Sequence, residues 1–417
     1  MKILYICPPV AGHLNPFTSL ACELIKRGHD LHHLGIPDSK ERVENFNITF
    51  HDSEAAKYGR GSLKIFTDKL GESRGLRAIK LTTDIFFEVN LLYINGLIPK
   101  LEMIQPDIVI IDHTYPAAQV ICDCLNVPAI TLAATPLLTL DPHVPPLIFG
   151  FKFSTSAFFR IRNRCLNSIM NMGYIPLLYQ INKARKQHGL AKLKRLDDAQ
   201  SQLATLVQQP ESFEYPRKFP IKNVHYIGPI HSHDSRPKIP FPYDKLDADK
   251  TLIYASMGTL QNRIESVFHE IAKSVLDLKN VQLIISLGGG GIDLKNKLPG
   301  DAIIVDNAPQ LDLIKRASIV ITHCGMNTTM ETLTMGKPMI CLPVTNDQPS
   351  IASRVEWIGA GIAIRKKPKA TKIKDAIEKI LADDSYRRCA KKVQEEIAEL
   401  NSLESASEII ESLMKEI

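Results

Sequence analysis

Two histidines and three carboxylates stand where short apolar runs end in turns, and together they could move a proton and hold a phosphorylated ligand. The densest group lies within residues 319–348. The run IVIT is apolar and β-branched, as expected of a strand buried on both faces, and His323, Gly325 and Asn327 occupy the turn that leads into the helix-forming stretch TTMETLTM. A strand passing into a helix in this way aims unpaired backbone N–H groups and the positive end of the helix dipole past the strand's carboxyl end, which suits a phosphate. The next strand, PMICLPV, ends in Thr345, Asn346, Asp347 and Gln348. That places a carboxylate and an amide at the same sheet edge, where they suit hydroxyl groups. Two of these residues carry a second reading. Thr328 and Glu331 have the S/T-x-x-E spacing of a capping box, which would make Glu331 a helix-starter and no ligand, and Asp347 also reads as the N-cap of a helix beginning near Pro349.

The first third of the chain supplies another pair. His13 ends a tight turn over 8–13 that follows a buried strand over 2–7, and Asp112 ends the buried strand DIVIID. In a parallel sheet the carboxyl ends of strands share one edge, so His13 and Asp112 are expected to approach across one crevice. Histidine is the side chain whose ordinary pKa suits a general base near neutrality. Asn15 and Pro16 predict a helix start, with asparagine as N-cap and proline at the first helical position, and the helix is expected to run to about Arg27. LHHLGI then completes a βαβ unit whose loop lacks the G-x-G-x-x-G pattern, which argues against a dinucleotide at this end.

The elements that must carry these side chains alternate regularly. DIVIID and VPAITLAA follow a mostly helical region over 52–100. Later, TLIYASMG, VQLIISL, AIIVDN, IVITHC, PMICLPV and GIAI are separated by helical stretches. Such alternation predicts an α/β protein with parallel sheets covered on both faces. The expected organisation is a first domain over 1–228, a proline-rich linker over 229–249, a second domain over 250–395 and a terminal helix over 396–417. Within the linker His231, His233 and Asp234 look like a metal cluster, but no second group of ligands lies at a convincing spacing, so no metal site is expected. The four glycines 288–291 read as a flexible lip between domains. Residues 147–164 interleave Phe149, Phe151, Phe153, Phe158 and Phe159 with Arg160, Arg162 and Arg164. This stretch reads either as a helix burying its aromatic rings or as a greasy pocket with a basic rim that can rest on anionic lipid.

Composition bounds the rest. A chain of 417 residues suits two cores, and 44% hydrophobic with 23% charged residues is ordinary for a globular protein. The net charge of +6 comes from 51 basic and 45 acidic residues without an obvious basic block, so nucleic acid is not an expected partner. Eight cysteines are scattered with no C-x-x-C pair, which points to a reducing compartment. The amino terminus has too short an apolar run for a signal peptide, and no stretch approaches the roughly 20 apolar residues of a membrane span. The expected location is the cytoplasm, with peripheral contact to the membrane surface through 147–164.

The block NAPQLDLIKRASIVITHCGMNTTMETLTMGKPMICLPVTNDQ resembles the nucleotide-sugar signature of the UDP-dependent glycosyltransferases. The segment NDQPSIASRV is closest in look to bacterial carotenoid and macrolide members, and PPVAGHLNP resembles the family's amino-terminal catalytic segment. The resemblance implies the GT-B arrangement, two facing Rossmann-like domains with a cleft between them. It implies an inverting transfer of a hexose, glucose foremost, from a UDP-sugar to a hydroxyl of a small lipophilic acceptor. His13 would be the base, next to Gly12, and Asp112 would orient it. His323, Gly325, Asn327 and Thr328 would hold the diphosphate, with Ser256 and Thr259 beside it. Gln310 and Glu331 would hold the ribose, and Asp347 and Gln348 the sugar. Asn307, followed by Ala308, stands where plant members carry a tryptophan that stacks on uracil, and Met326 stands where they carry one near the sugar. No cofactor is expected beyond the donor substrate. A sugar-nucleotide epimerase of the same fold and a non-catalytic activator subunit are the competing readings.

Overall fold

The structure is a computed structural model that describes residues 1–55, 57–73, 75–218, 221–232, 236, 239–260, 263–289, 294 and 297–416. Two parallel sheets organise it. The first consists of β1 (Lys2–Ile6), β2 (Asp30–Gly35), β3 (Thr49–Asp52), β4 (Ile108–Asp112), β5 (Ala129–Ala133), β6 (Thr205–Val207) and β7 (Val224–Tyr226), in the order β3-β2-β1-β4-β5-β6-β7. The second consists of β8 (Thr251–Ser256), β9 (Val281–Ser286), β10 (Ile303–Val305), β11 (Ile319–Thr322), β12 (Met339–Cys341) and β13 (Gly361–Ala363), in the order β10-β9-β8-β11-β12-β13. Strands β1, β4, β8 and β11 are apolar along nearly their whole length and buried, as strands covered on both faces must be.

Helices α1 (Ala11–Lys26), α2 (Lys40–Glu44), α3 (Ser62–Glu72), α4 (Gly75–Ile104), α5 (Pro116–Leu125) and α6 (Ala157–Gln187) accompany the first sheet. Helices α7 (Glu265–Ser274), α8 (Gln310–Arg316), α9 (Met326–Thr334), α10 (Gln348–Trp357), α11 (Ala370–Ala382) and α12 (Ser385–Leu400) accompany the second. Helix α13 (Ser402–Glu416) then returns to the first domain, where it packs on α1 and places Ala406 and Ile410 in that domain's core.

In each sheet the strand order reverses at one place, between β1 and β4 and between β8 and β11, with Ile6 opposite Ile111 and Thr322 opposite Ser256. Ligand sites of open α/β sheets form at such points, outside the carboxyl ends of the strands. Away from the cleft the domains are clasped by a buried ion pair, Arg354 Nη2 to Glu214 Oε1 at 2.6 Å, with the Arg354 guanidinium 4.4 Å above the Tyr215 ring. Phe153 stacks on Tyr215 and meets Trp357 edge-on, both at 5.0 Å between ring centroids.

Three sequence expectations need correction here. Helix α1 begins at Ala11 rather than at Asn15, so His13 lies in its first turn and Pro16 inside it. The terminal helix is not continuous: Asn401 adopts a left-handed conformation (φ 45°) and separates α12, which packs on α9, from α13. The segment crossing to the first domain therefore starts near 402 rather than 396. The phenylalanines of 147–164 divide: Phe153 joins the clasp between domains, and Phe158 is 73% exposed on α6. Of the glycine lip, Gly288 and Gly289 are left-handed turn residues, while Gly290 and Gly291, like His233 and Asp234 of the linker, lie outside the described residues.

Candidate active site

His13 reaches across the first sheet's reversal point to Asp112. Its Nδ1 lies 2.7 Å from Asp112 Oδ2, the carboxylate is fully buried, and the imidazole retains 17% exposure. The other oxygen, Oδ1, accepts the Thr114 N–H at 2.9 Å and the Thr114 hydroxyl at 2.6 Å. A carboxylate held from both sides fixes the ring and its tautomer: with Nδ1–H given to Asp112, Nε2 is the lone-pair nitrogen left for the cleft. Burial disfavours the charged ring, but the charge and hydrogen bond of Asp112, together with Asp347 across the cleft, outweigh it and raise the His13 pKa above its ordinary value. Burial pushes Asp112 the other way, yet His13, His113 and Thr114 prevail and hold its carboxyl below the usual range. Neighbouring His113 is neutralised by burial, its pKa lowered to about 4 despite Asp112, and bonds to Thr135 Oγ1 at 3.0 Å.

Facing this pair is the start of α9. Its first helical bond runs from the Thr329 N–H to the Gly325 carbonyl at 3.0 Å, which leaves the amides of Met326, Asn327 and Thr328 without helical partners. Gly325 is the N-cap and makes no side-chain cap, and the first turn carries no acid. That end is a ready anion site. The His323 ring lies between two glycines: a Cβ at Gly258 would come within 2.5 Å of Cε1, and one at Gly325 within 2.5 Å of Nε2. Gly258 also has a φ of +75°. Burial lowers the His323 pKa to about 4 in spite of a hydrogen bond to the Ser256 backbone, so the unliganded ring is neutral and the helix end supplies the favourable field for phosphate.

The third cluster settles the capping question. Thr328 is the third residue of α9, not its N-cap, and Glu331 points into the cleft. Gln310 Nε2 donates to Glu331 Oε2 at 2.6 Å and to Thr328 Oγ1 at 3.3 Å, and Arg236 pairs with the other Glu331 oxygen. Asp347 does hold the N-cap position of α10, but its side chain makes no capping bond. Burial raises its pKa to about 6, against its own backbone N–H and the His13 charge. Gln348 turns its side-chain oxygen back to the Val344 and Thr345 amides at 2.8 and 3.2 Å.

All these groups open into one cavity of about 1750 Å³ between the domains. Gly12, His13, Ser256, Thr259, Asn307, Ala308, Gln310, His323, Gly325, Met326, Asn327, Thr328, Glu331, Asp347 and Gln348 line it, and Asp112 stands behind His13. Two contributions differ from expectation. Met326 is 4% exposed with its side chain in the second core, so it offers the site its main chain. The Asn327 side chain turns to the first domain, donating to the Gly12 carbonyl at 3.2 Å and accepting from Gln208 at 3.2 Å. Among the described residues no group of three His, Cys, Asp or Glu side chains is arranged to hold a metal ion.

The family model for UDP-glucoronosyl and UDP-glucosyl transferase matches residues 39–395. The chain belongs to this family. It is a glycosyltransferase, and its two parallel-sheet domains have the GT-B fold. A zeaxanthin glucosyltransferase of Pantoea ananas is 25% identical over 415 residues, covering 98% of this chain and 95% of that protein. The 4'-demethylrebeccamycin synthase of Lentzea aerocolonigenes is 23% identical, with 99% of both chains covered. Among solved structures, a kitacinnamycin glycosyltransferase superimposes with a TM-score of 0.75 at 18% identity over 99% of this chain and 98% of its own. The calicheamicin glycosyltransferase gives 0.74 at 17%, covering 100% and 98%.

Several residues of this glycosyltransferase's cleft were not expected from sequence. Thr114 was detectable, since a hydroxyl two residues after an aspartate commonly closes a local turn on it. Arg236 from the linker and Arg42, which donates to Asn15, line the cavity too, and nothing in their local sequence separates them from surface arginines.

Proposed function

We propose that this enzyme moves a hexose, glucose foremost, from a UDP-sugar to a hydroxyl of a small lipophilic acceptor, with inversion at the anomeric carbon. The observation that carries the reading is the pairing of His13 with Asp112 at 2.7 Å, opening onto the same cavity as the bare amino terminus of α9. The acceptor oxygen attacks the anomeric carbon as His13 Nε2 takes its proton. The bond to the nucleotide breaks with its electron pair left on the terminal phosphate oxygen of UDP. Asp112 stabilises the imidazolium that forms, and such a base contributes roughly 10²–10⁴ in rate. The unpaired amides of Met326, Asn327 and Thr328 face the growing phosphate charge, Glu331 and Gln310 take the ribose hydroxyls, and Asp347 and Gln348 those of the sugar. These residues need no metal for their parts.

The acceptor side supports a lipophilic molecule. From the first domain Phe46, Phe66, Ile79, Phe86, Val89 and Leu97 line the cavity, and 147–164 contributes Leu147 and Ile148. A relative named for zeaxanthin and glucose points the same way. Eight free cysteines, four of them buried, support action in a reducing compartment, the cytoplasm, at or near a membrane surface. Among the described residues no helix is long and apolar enough to cross a membrane.

The test is UDP release from UDP-glucose followed with and without alcohols, alongside dTDP-sugars, with products identified by mass spectrometry. Release only when an alcohol is present is expected. Conversion of donor without an alcohol would replace the proposal with epimerisation, and nucleotide binding without either reaction would replace it with a binding role.

A further inference from the structure

Helix α6 is built inside out over its first two thirds. Its buried positions there include Asn163 and Asn167, while Phe158, Ile161, Ile169, Met172, Ile175 and Tyr179 are 57–73% exposed. At 100° per residue these six and exposed Cys165 fall within about 120° of helix face, a stripe roughly 33 Å long from Phe158 to Tyr179. Soluble proteins rarely leave so large a contiguous apolar surface open without a use for it.

Charge identifies what it meets. The 55 residues 142–196 contain ten Lys and Arg and no Asp or Glu. The other 362 residues hold 41 basic and 45 acidic side chains, so the whole positive excess of the protein sits on and around α6. Arg160 and Arg164 lie beside the stripe, and Lys183 and Lys186 continue it. An acid-free helix with an apolar face and basic flanks is the pattern of an interfacial helix on anionic lipid. The opposite face of the same helix walls the cavity: Tyr174 lines it and lies 6.0 Å from the Phe86 ring on α4.

We propose that α6 lies in the surface of an anionic bilayer, its 158–179 stripe among the acyl chains and its cations at the headgroups, so that the helix walling the acceptor end of the cleft rests on lipid. The assignment of a lipophilic acceptor gives this surface its purpose and rests on the proposed function; the docking itself does not. The full-length protein is floated with vesicles of phosphatidylcholine, or of phosphatidylcholine with phosphatidylglycerol. Binding to the anionic vesicles is expected, at least tenfold weaker for Ile161→Glu/Ile169→Glu. For Arg160→Gln/Arg164→Gln roughly thirtyfold weakening is expected, since each cation near such a surface is worth about 1 kcal/mol. Both positions in the apolar variant are about 60% exposed, so its melting temperature and its turnover of a water-soluble alcohol stay unchanged. No binding to anionic vesicles, equal binding to neutral ones, or a dimer in solution that the glutamates dissolve would each overturn the proposal. Flotation involves no sugar transfer, so a failed acceptor screen with intact flotation would count against the proposed function alone.

Discussion

Replacing Asp112 with asparagine separates orientation of the base from every other role of the site. In the native enzyme Oδ1 accepts both Thr114 donors, at 2.9 and 2.6 Å, and Oδ2 faces His13 Nδ1 at 2.7 Å. Asparagine keeps the first arrangement with its carbonyl and turns its NH₂ toward His13. The imidazole must then accept at Nδ1 and carry its proton on Nε2, where the lone pair is needed. The base is lost without loss of the ring, a defect of roughly 10³–10⁴ in kcat, about 4–5.5 kcal/mol. Asp112 does not line the cavity, so the Kd for UDP should stay within about twofold. The pH profile gives the sharper reading. Native kcat/KM should rise with pH through the raised His13 pKa, on the alkaline side of 6.5. In the variant burial acts on His13 with only Asp347 opposing, so whatever activity remains should have its acid limb at lower pH. Stability follows by linkage. The pair contributes fully between the ordinary carboxyl and imidazole values, 3.8 and 6.5; the contribution is lost as pH falls below the first through the lowered Asp112 pKa or rises above the second through the raised His13 pKa. Steady-state UDP release and calorimetric UDP binding are the assays. A kcat within tenfold of native, or an acid limb that stays in place, would refute the orienting role.

Glu331→Ala should weaken UDP binding about tenfold or more while moving the melting temperature little; a lower melting temperature with unchanged Kd would return Glu331 to a purely structural role. Gly325→Ala should abolish detectable UDP binding, because the new Cβ would stand 2.5 Å from His323 Nε2 at a position whose backbone any residue can adopt; calorimetry showing native affinity would refute the sandwich around His323. Asp347→Asn should stabilise the fold near pH 8 while cutting turnover with the sugar donor. Its folded pKa of about 6 lies above the ordinary carboxyl value, so ionisation costs stability above pH 6, and that cost vanishes as pH falls toward 3.8. Thermal melts of both proteins from pH 4 to 8 check it, and curves that stay parallel would refute the burial of that charge.

The strand-to-helix turn before α9 was legible in sequence because chain-local rules place it: a β-branched strand, a glycine, then a helix puts His323, Gly325 and three bare amides at one sheet edge. What lay beyond local rules was direction. Thr328 fits a capping box by spacing, but the N-cap is Gly325, three residues too early for that bond, and Glu331 is drawn instead to Gln310 and Arg236, which lie 21 and 95 residues away. The aromatic run 147–164 announced apolar contact without saying with what, since Phe153 finds its partners, Tyr215 and Trp357, only when the domains meet.

The misplaced start of α1 shows how a local rule can misread a residue whose reason lies in the other domain. Asn15-Pro16 has the form of a helix start, yet the helix begins at Ala11 and Pro16 lies within it. A proline inside a helix has no N–H for the carbonyl four residues earlier, and that carbonyl belongs to Gly12. Left without its helical donor, it accepts the Asn327 side-chain amide from the opposite domain at 3.2 Å. The same Asn327 offers its backbone N–H among the free amides of α9, and the residue after Gly12 is His13. One hydrogen bond therefore joins the turn that carries His13 to the helix end that, in the proposed function, takes the diphosphate, and on that proposal seating the donor and aiming the imidazole are coupled. A proline that looks like an error in the helix is the reason that carbonyl is available.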